Sequence, residues 1–179
     1  MKGIVFNLLE ESITAHHGSP LWEELLAASG SDGVYMSLGS YPDRELQAMV
    51  MAAAMKLGLS PAEVLRWFGK AAMPLLIQRY PEFFARQRTA RALLLSVKNS
   101  VHPEVLKIYP GAGLPELEFR DAEDGGLLMS YRSPRNLCAL AHGFAEGTAR
   151  YFGEEIEFTH LKCVHRGDDE CLCHIAFEG

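Results

Sequence analysis

Three groups of side chains in this sequence have the chemistry of a ligand site. The first is one histidine, His102, in the stretch SVHPEVLKIYPG, an otherwise apolar helical pattern that ends at Pro110. A lone histidine in such a pattern is often a core or capping residue hydrogen-bonded to a backbone carbonyl. A neutral imidazole on a helix inside an apolar pocket is also a usual axial ligand of haem iron. The spacing by itself supports both interpretations.

The second group is the run YRSPR, where Tyr131, Ser133 and Arg135 stand at alternate positions as a strand pattern passes into a helix pattern. If strand geometry extends to Arg135, all three side chains face the same side. Two hydroxyls and a guanidinium suit a planar anion such as a carboxylate or a phosphate. The alternative is a helix start capped by Ser133 and followed by a solvated arginine.

The third group is rich in sulfur, because all four cysteines fall in the last quarter of the chain. His160, Cys163 and Cys171 are carried by two predicted strands and the turn between them. Cys138 lies on the preceding helix, and Cys173 lies two residues beyond Cys171. Tetrahedral zinc takes four such nitrogen and sulfur ligands, so three from the hairpin and one from the helix would pin the helix to the sheet. The alternative is that buried cysteines are simply small hydrophobic residues.

Helical patterns dominate the chain before Pro110. Apolar residues recur at helical spacing over 46–57, and Gly58 is expected to end that helix. Ser60 and Glu63 form a capping-box pattern that starts the next helix, which Pro74 should kink or end. The first half of the chain is therefore predicted to be helical.

The patterns after Pro110 are mostly those of strands. LPELEFRD and LLMSYRS flank the turn AEDGG and predict a β-hairpin. A helix is expected next, with Ser133 as its N-cap, Pro134 in its first turn and Gly153 at its end. EIEFTHLKCVH and CLCHIAFEG predict two more strands. The expected fold class is α+β, with a helical N-terminal part packed on a C-terminal antiparallel sheet.

Composition excludes several functional classes. With 179 residues and 48% hydrophobic content, the chain should form one domain. A net charge of -6 argues against binding nucleic acid. The N-terminus has neither a membrane-spanning apolar run nor a cleavage site, so we expect a cytoplasmic protein that does not insert into a membrane. No G-x-S-x-G, Walker A or paired-carboxylate pattern points to an enzyme.

Taken together, these stretches resemble the H-NOX family, the haem nitric oxide/oxygen-binding domains of bacteria and of soluble guanylate cyclases. The resemblance rests on MKGIVFNLLEE, YPDRELQAMV, LSPAEVLRWFGKAAMPLLIQRYPEFF, the HPEV histidine and the YRSPR junction, and it covers essentially the whole chain. It implies a single domain over residues 1–179, with a distal helical subdomain at 1–60 and proximal helices plus sheet at 61–179. Haem b would lie buried between the helical part and the sheet.

The resemblance also assigns roles to individual residues. It makes His102 the axial ligand of the haem iron. Tyr131, Ser133 and Arg135, which we call the carboxylate clamp, would hold the haem propionates. Pro115 matches the residue that contacts and distorts the haem in relatives.

A further implication concerns the distal side of the haem, where the diatomic ligand binds. Oxygen-binding relatives carry a tyrosine at the position of Leu140, and none of the matching residues here donates a side-chain hydrogen bond. Bound O2 is usually retained by a distal donor, so an apolar wall favours NO and CO. Asn7 or Tyr35, entering from elsewhere, could reverse this preference. The matching residues, which we call the distal wall, are Val5, Leu9, Leu140 and Phe144.

By the same resemblance, the chain is a sensor without enzymatic activity. Binding of NO would weaken the iron–histidine bond, and the resulting conformational change would be read by a separate partner, a histidine kinase or a diguanylate cyclase. Cys138, His160, Cys163 and Cys171 match a subgroup with zinc near the C-terminus. Cys173 is then spare, although the sequence permits Cys138 and Cys173 to exchange roles.

Two other functions remain open at this point. One is a haem-free small-molecule-binding module of the 4-vinyl reductase type, which shares the C-terminal Cys and Gly-Asp hairpin pattern but lacks the haem histidine. The other is an enzyme that uses the C-terminal metal. Four available ligands argue against the enzyme, because a catalytic zinc keeps one position open.

Overall fold

The computed structural model describes residues 1–178 and has a helical first part followed by an antiparallel sheet, which confirms the predicted α+β class. The strands are β1 (Glu116–Asp121), β2 (Leu127–Arg132), β3 (Glu155–Lys162) and β4 (Cys171–Glu178). A π-helical turn, Val97–Val101, joins the sixth helix to the seventh, and a 3₁₀ turn, Val164–Arg166, follows β3. The helices are α1 (Gly3–His17), α2 (Ser19–Ser29), α3 (Asp43–Leu57), α4 (Pro61–Arg79), α5 (Pro81–Phe84), α6 (Ala90–Ser96), α7 (His102–Ile108) and α8 (Cys138–Tyr151).

The sheet has the strand order β1-β2-β4-β3, and every neighbouring pair is antiparallel. The predicted hairpin is therefore confirmed as β1 and β2. Across the sheet, Tyr131 of β2 lies opposite Cys171 of β4, and His160 of β3 lies opposite Cys173. Directly opposed residues have their side chains on the same face, so the register brings the clamp tyrosine next to the cysteines.

The predicted end of α3 and the predicted start of α4 are confirmed. Gly58 follows α3 with a φ of 67°, the left-handed conformation that glycine adopts without strain. The side chain of Ser60 accepts from the N–H of Glu63, and the Glu63 carboxylate accepts from the N–H of Ser60. Pro74 is exposed and does not end α4, which continues to Arg79.

The predicted start of α8 is wrong. The helix begins at Cys138, and Ser133 does not cap it. Instead, β2 ends at Arg132, and the next residues form a turn that contains Asn136 at a φ of 53°. The hydroxyl of Ser133 accepts from the N–H of Arg135 at 3.2 Å, which closes this turn locally. Such a local hydrogen bond competes with helix formation, so the helix starts later.

Helices α4 and α8 cross at very close range because glycines line the contact. A methyl group at Gly143 would overlap the backbone carbonyl of Arg66, and one at Gly69 would overlap the carbonyl of Leu140. At Gly147, a methyl group would meet the side chain of Met73. This backbone-to-backbone contact fixes the position of α8, which carries two of the residues predicted for the distal wall.

The core has two main parts. One lies among helices α1 to α4 and reaches Leu140 on α8. The other lies between α8 and the sheet and contains all four cysteines. Within residues 1–178 no single helix is long and apolar enough to span a bilayer; α3 and α4 pass that test only as a pair bent by 102°.

Candidate functional site

His102 is the first residue of α7, and its imidazole is half-buried. Within residues 1–178 this ring takes part in no hydrogen bond and no ion pair. Burial lowers the pKa of His102 below its ordinary value, so the ring is neutral at physiological pH. A neutral imidazole with both nitrogens unengaged can bind a metal ion, whereas a core histidine is usually hydrogen-bonded.

The face of α7 that carries His102 is apolar and partly open. Leu106 follows one turn later on this face and is 45% exposed. Tyr109, one further turn along, is buried, and its hydroxyl is hydrogen-bonded to the hydroxyl of Tyr80, the residue between α4 and α5. The imidazole of His102 and the exposed side chain of Leu106 therefore lie side by side on α7. The hydrogen bond between Tyr109 and Tyr80 holds the C-terminal end of this helix.

Of the three clamp residues, only Tyr131 belongs to a strand, because β2 ends at Arg132. The condition under which all three side chains would face the same side, strand geometry as far as Arg135, is therefore not met. Tyr131 is buried, and its hydroxyl accepts from the backbone N–H of Leu137 at 3.1 Å. Burial raises the pKa of Tyr131, so the hydroxyl keeps its proton and can donate a hydrogen bond to an anion.

Arg135 is held by groups that the sequence did not indicate. Its Nε donates to Oδ2 of Asp43 at 2.8 Å, and its Nη1 donates to the carbonyl of Gly113 at 2.5 Å. Asp43 is the first residue of α3, and its other oxygen accepts from the amino group of Met1 at 2.6 Å. Within residues 1–178, these contacts leave Nη2 as the guanidinium nitrogen of Arg135 without a hydrogen bond.

The distal-wall residues lie in one hydrophobic cluster. Leu9 and Leu140 belong to its buried part, and Val5 and Phe144 pack against it while partly buried. No polar side chain of this set is available, since all four residues are apolar. Pro115 is half-buried and immediately precedes β1.

The two polar residues that could have reached the distal wall are engaged elsewhere. Asn7 donates from Nδ2 to the carbonyl of Tyr35 at 3.0 Å and accepts from Ser37 through Oδ1 at 2.9 Å. The hydroxyl of Tyr35 is hydrogen-bonded to Ser31 at 2.7 Å and to Glu45 at 2.9 Å. The hydroxyl of Tyr35 is therefore engaged, and the amide of Asn7 is oriented towards Tyr35 and Ser37 by hydrogen bonds at both Nδ2 and Oδ1.

Three of the predicted zinc ligands come together in the structure. The sulfur atoms of Cys138, Cys163 and Cys171 lie within 4.8 Å of one another, and we call this group the three-thiol cluster. Sγ of Cys138 is 3.8 Å from Sγ of Cys163. Two sulfurs bound to one tetrahedral zinc at about 2.3 Å would be about 3.8 Å apart. The spacing thus suits a shared metal ion.

His160 lies outside the three-thiol cluster. Its Nδ1 is 3.5 Å from Sγ of Cys173, its neighbour across the sheet. Burial raises the pKa of Cys173 to about 12, so this thiol is protonated and unreactive at neutral pH. His160 and Cys173 are therefore paired with each other, on the same face of the sheet as Cys171.

The residues of this site fit an iron porphyrin. A neutral, unpaired imidazole matches an axial ligand, and a tyrosine hydroxyl with a guanidinium nitrogen matches carboxylate side groups. The apolar wall matches the hydrocarbon part of the ring. The fold and these groups define an α+β cofactor-binding domain.

Comparison with known families assigns the class. The chain belongs to the family of haem-NO-binding domains, whose sequence model matches residues 2–160. The members of this family are haem-binding gas-sensing modules and not enzymes. This match also disfavours the haem-free, 4-vinyl reductase alternative.

Solved structures of H-NOX proteins have the same fold. One from S. oneidensis in the Fe(II)NO ligation state is 31% identical, with full coverage of both chains and a TM-score of 0.94. The same organism's H-NOX domain in the Fe(II)CO state is 32% identical over 100% of this chain and 99% of that one, with a TM-score of 0.90. An unliganded Fe(II) H-NOX protein from K. algicida is 25% identical over 100% and 97% of the chains, with a TM-score of 0.89. A comparison with curated protein sequences gives no match.

Proposed function

We propose that this chain is a haem-based nitric oxide sensor that signals to a separate partner protein. The observation that carries the proposal is the unpaired, half-buried imidazole of His102, in a fold shared with an H-NOX structure in the Fe(II)NO state. When bound, the haem would supply a ferrous iron as the binding site for NO or CO. His102 would hold this iron on one side, and the distal wall would enclose the ligand on the other.

Tyr131 and Arg135 would hold the propionates of the haem. Arg135 is already held by Asp43 and Gly113, so little side-chain freedom is lost when its remaining nitrogen binds an anion. Ser133 closes the turn that presents Arg135. Pro115, at the start of β1, would contact the ring.

The distal wall supports selection against O2. Its four residues are apolar. The hydroxyl of Tyr35 is hydrogen-bonded, and the amide of Asn7 is held by bonds to Tyr35 and Ser37. NO forms a strong bond to ferrous iron without a distal donor, whereas O2 is usually retained by one. We therefore propose that the pocket binds NO and CO and forms no stable complex with O2.

A route for signalling is available within the chain. Val101, the residue before His102, packs in a cluster that includes Phe144, and Phe144 also packs against the cluster of the distal wall. A displacement of His102 would thus reach α8. We propose that residues 1–60 and 61–179 shift relative to each other, and that a cytoplasmic histidine kinase or diguanylate cyclase reads the shift. A kinase whose activity is the same with NO-bound and ligand-free protein would argue against that partner.

Absorption spectra of the anaerobic ferrous protein test the sensor proposal. Samples of wild type, His102→Gly and the control His174→Gly receive NO, CO or air separately. His174 is a suitable control because it lies on β4 and its ring pairs with Asp124, in the turn between β1 and β2. We expect wild type and His174→Gly to show a five-coordinate ferrous spectrum that His102→Gly lacks. This spectrum should change on addition of NO or CO, and air should produce no stable oxy form. A protein that takes up no haem would overturn the proposal, and a stable oxy complex would overturn the selection against O2.

We also propose that the three-thiol cluster holds a structural zinc ion, with His160 as the predicted fourth ligand and Cys173 as the alternative. Metal content after Cys→Ser substitution separates these possibilities. Substitution of Cys138, Cys163 or Cys171 should abolish zinc binding, and Cys173→Ser should retain about one zinc per chain. Loss of zinc in Cys173→Ser together with retention of zinc in His160→Ala would show that Cys173, and not His160, is the fourth ligand.

A further inference from the structure

The helical segment that leads to His102 contains an irregular turn. After the regular helix α6, residues Val97–Val101 form a π-helical turn, and the N–H of His102 donates to the carbonyl of Val97. In an α-helix the same N–H would donate to the carbonyl of Lys98. Single π turns inside helices occur frequently at functional sites.

The residue that follows His102 explains this turn. Pro103 has no N–H, so it cannot donate to the carbonyl of Asn99, and its ring would clash with that carbonyl in an α-helix. Proline also disfavours α geometry in the residue before it, yet His102 has helical angles, with φ of -58° and ψ of -43°. A wider turn relieves the clash while both helices continue.

The register of the turn determines where His102 points. Five residues of an α-helix would place His102 roughly 140° around the axis from Val97. The hydrogen bond from His102 to Val97 makes these residues neighbours one turn apart, which removes about one residue's rotation, roughly 100°. Val97 packs against the cluster that contains Tyr131. The π turn therefore brings the imidazole round to the side on which the clamp strand lies.

The turn is also anchored to that strand pair. Lys98 forms an ion pair with Glu118 of β1. Glu118 lies opposite Ser130 of β2, next to the pair formed by Leu117 and Tyr131. The turn before His102 and the strand that carries Tyr131 are thus connected through one ion pair and the hairpin ladder.

We infer that Pro103 is a positioning residue for His102, because it keeps Val97–Val101 in the π register that turns the imidazole towards the clamp side. This inference rests on the proposal that His102 holds the haem iron. Pro103 itself is exposed and touches no cofactor in this scheme; it acts only through the backbone.

The test is Pro103→Ala in the full chain, with Pro74→Ala as the matched control. Both prolines are exposed and lie inside helices, but α4 continues through Pro74 without a π turn. Alanine at 103 supplies the missing N–H, which should bond to the carbonyl of Asn99 and close the turn. We expect this new amide to exchange its hydrogen more slowly than an amide of an unstructured peptide. The haem-free variant should unfold at an equal or higher urea concentration than wild type.

Although Pro103→Ala should not destabilise the haem-free protein, it should weaken the binding of haem. In Pro103→Ala, the iron–histidine stretching band in the resonance Raman spectrum should shift, and haem should dissociate roughly fivefold faster, as expected when a ligand side chain is forced off its rotamer. Pro74→Ala should alter neither. In a His102→Gly background with free imidazole as the axial ligand, Pro103→Ala should have no effect, because the imidazole is no longer attached to α7.

The outcomes separate the inference from the function on which it rests. An unshifted band and unchanged haem loss in Pro103→Ala would overturn the positioning role. Equal effects of Pro103→Ala with and without the His102 side chain would also overturn it, because they would show a general structural effect. If His102→Gly alone leaves the ferrous spectrum unchanged, the proposed function fails instead.

Discussion

The guanidinium of Arg135 and the carboxylate of Asp43 form an ion pair at 2.8 Å between residues 92 positions apart in the sequence. Asp43 begins α3 in the helical N-terminal part, whereas Arg135 follows β2 of the sheet. The same carboxylate also accepts from the amino group of Met1. One acidic residue thus connects the clamp arginine to the part of the chain that carries Val5 and Leu9 of the distal wall.

Replacing Asp43 by asparagine should speed haem loss. The amide keeps the shape of the side chain but removes the charge that holds Nε of Arg135. Because a partly exposed ion pair contributes up to about 1 kcal/mol, haem transfer to an acceptor protein should become about two to five times faster. The control is Asp121→Asn on β1, which removes the ion pair between Asp121 and Arg91 of α6. Identical transfer rates in wild type and Asp43→Asn would show that Asp43 does not support the clamp.

The contribution of Asp43 to stability should depend on pH in a defined direction. Burial opposes ionisation of this carboxyl, but hydrogen bonds from the amino group of Met1 and from Arg135 outweigh it and hold its pKa below the ordinary 3.8. Its contribution is therefore fully present above the unfolded pKa and is lost as pH falls through the lower folded one. In urea titrations of the haem-free protein, the stability difference between wild type and Asp43→Asn should stay constant from neutral pH down to about 5 and shrink below about 4. A difference that grows on acidification would contradict the ion pair.

Alanine substitutions at the glycines of α8 should test its close contact with α4. A methyl group at Gly143 meets the backbone carbonyl of Arg66, which cannot move without separating the helices. We expect Gly143→Ala to lower the free energy of unfolding by about 1–3 kcal/mol, although alanine favours helix by about 1 kcal/mol. At Gly147 a methyl group would meet Cβ and Cγ of Met73, and Cβ moves only with the backbone, so Gly147→Ala should also lower the free energy of unfolding by about 1–3 kcal/mol. Urea denaturation at neutral pH measures both variants. Unchanged stability in Gly143→Ala would mean that the crossing is not held by backbone contact.

Replacing Ser12 on α1 by alanine should stabilise the protein. Its hydroxyl is buried and has no hydrogen-bond partner within residues 1–178. A buried polar group without a partner costs about 1–3 kcal/mol, so Ser12→Ala should raise the free energy of unfolding by about 1 kcal/mol. Ser96→Ala is the control, since Oγ of Ser96 donates to the carbonyl of Leu93 at 2.7 Å. The control should show no gain, and a loss of stability in Ser12→Ala would indicate that its hydroxyl has a partner in solution.

The sequence by itself determined the local elements. Gly58 and the Ser60–Glu63 capping box fixed the end of α3 and the start of α4, because such signals act within one helical turn. Alternating residues around AEDGG defined the β1–β2 hairpin for the same reason. The one local error, the start of α8, arose where Ser133 bonds to a neighbouring N–H in a turn and does not cap a helix. The types and order of the site residues were also readable, because the histidine, the clamp and the cysteines are set by the chain itself.

Only the tertiary structure decided which groups meet. The partner of Arg135 is Asp43, which no local pattern could indicate because the two residues are separated by most of the helical part. The association of three sulfurs depends on the register of β4 against β2 and β3 and on where α8 begins. The glycine spacing of α8 was visible, but its meaning required the neighbouring helix α4. The π turn before His102 likewise combines a local cause, Pro103, with an anchor on β1, and side-chain direction there is a property of the packed structure.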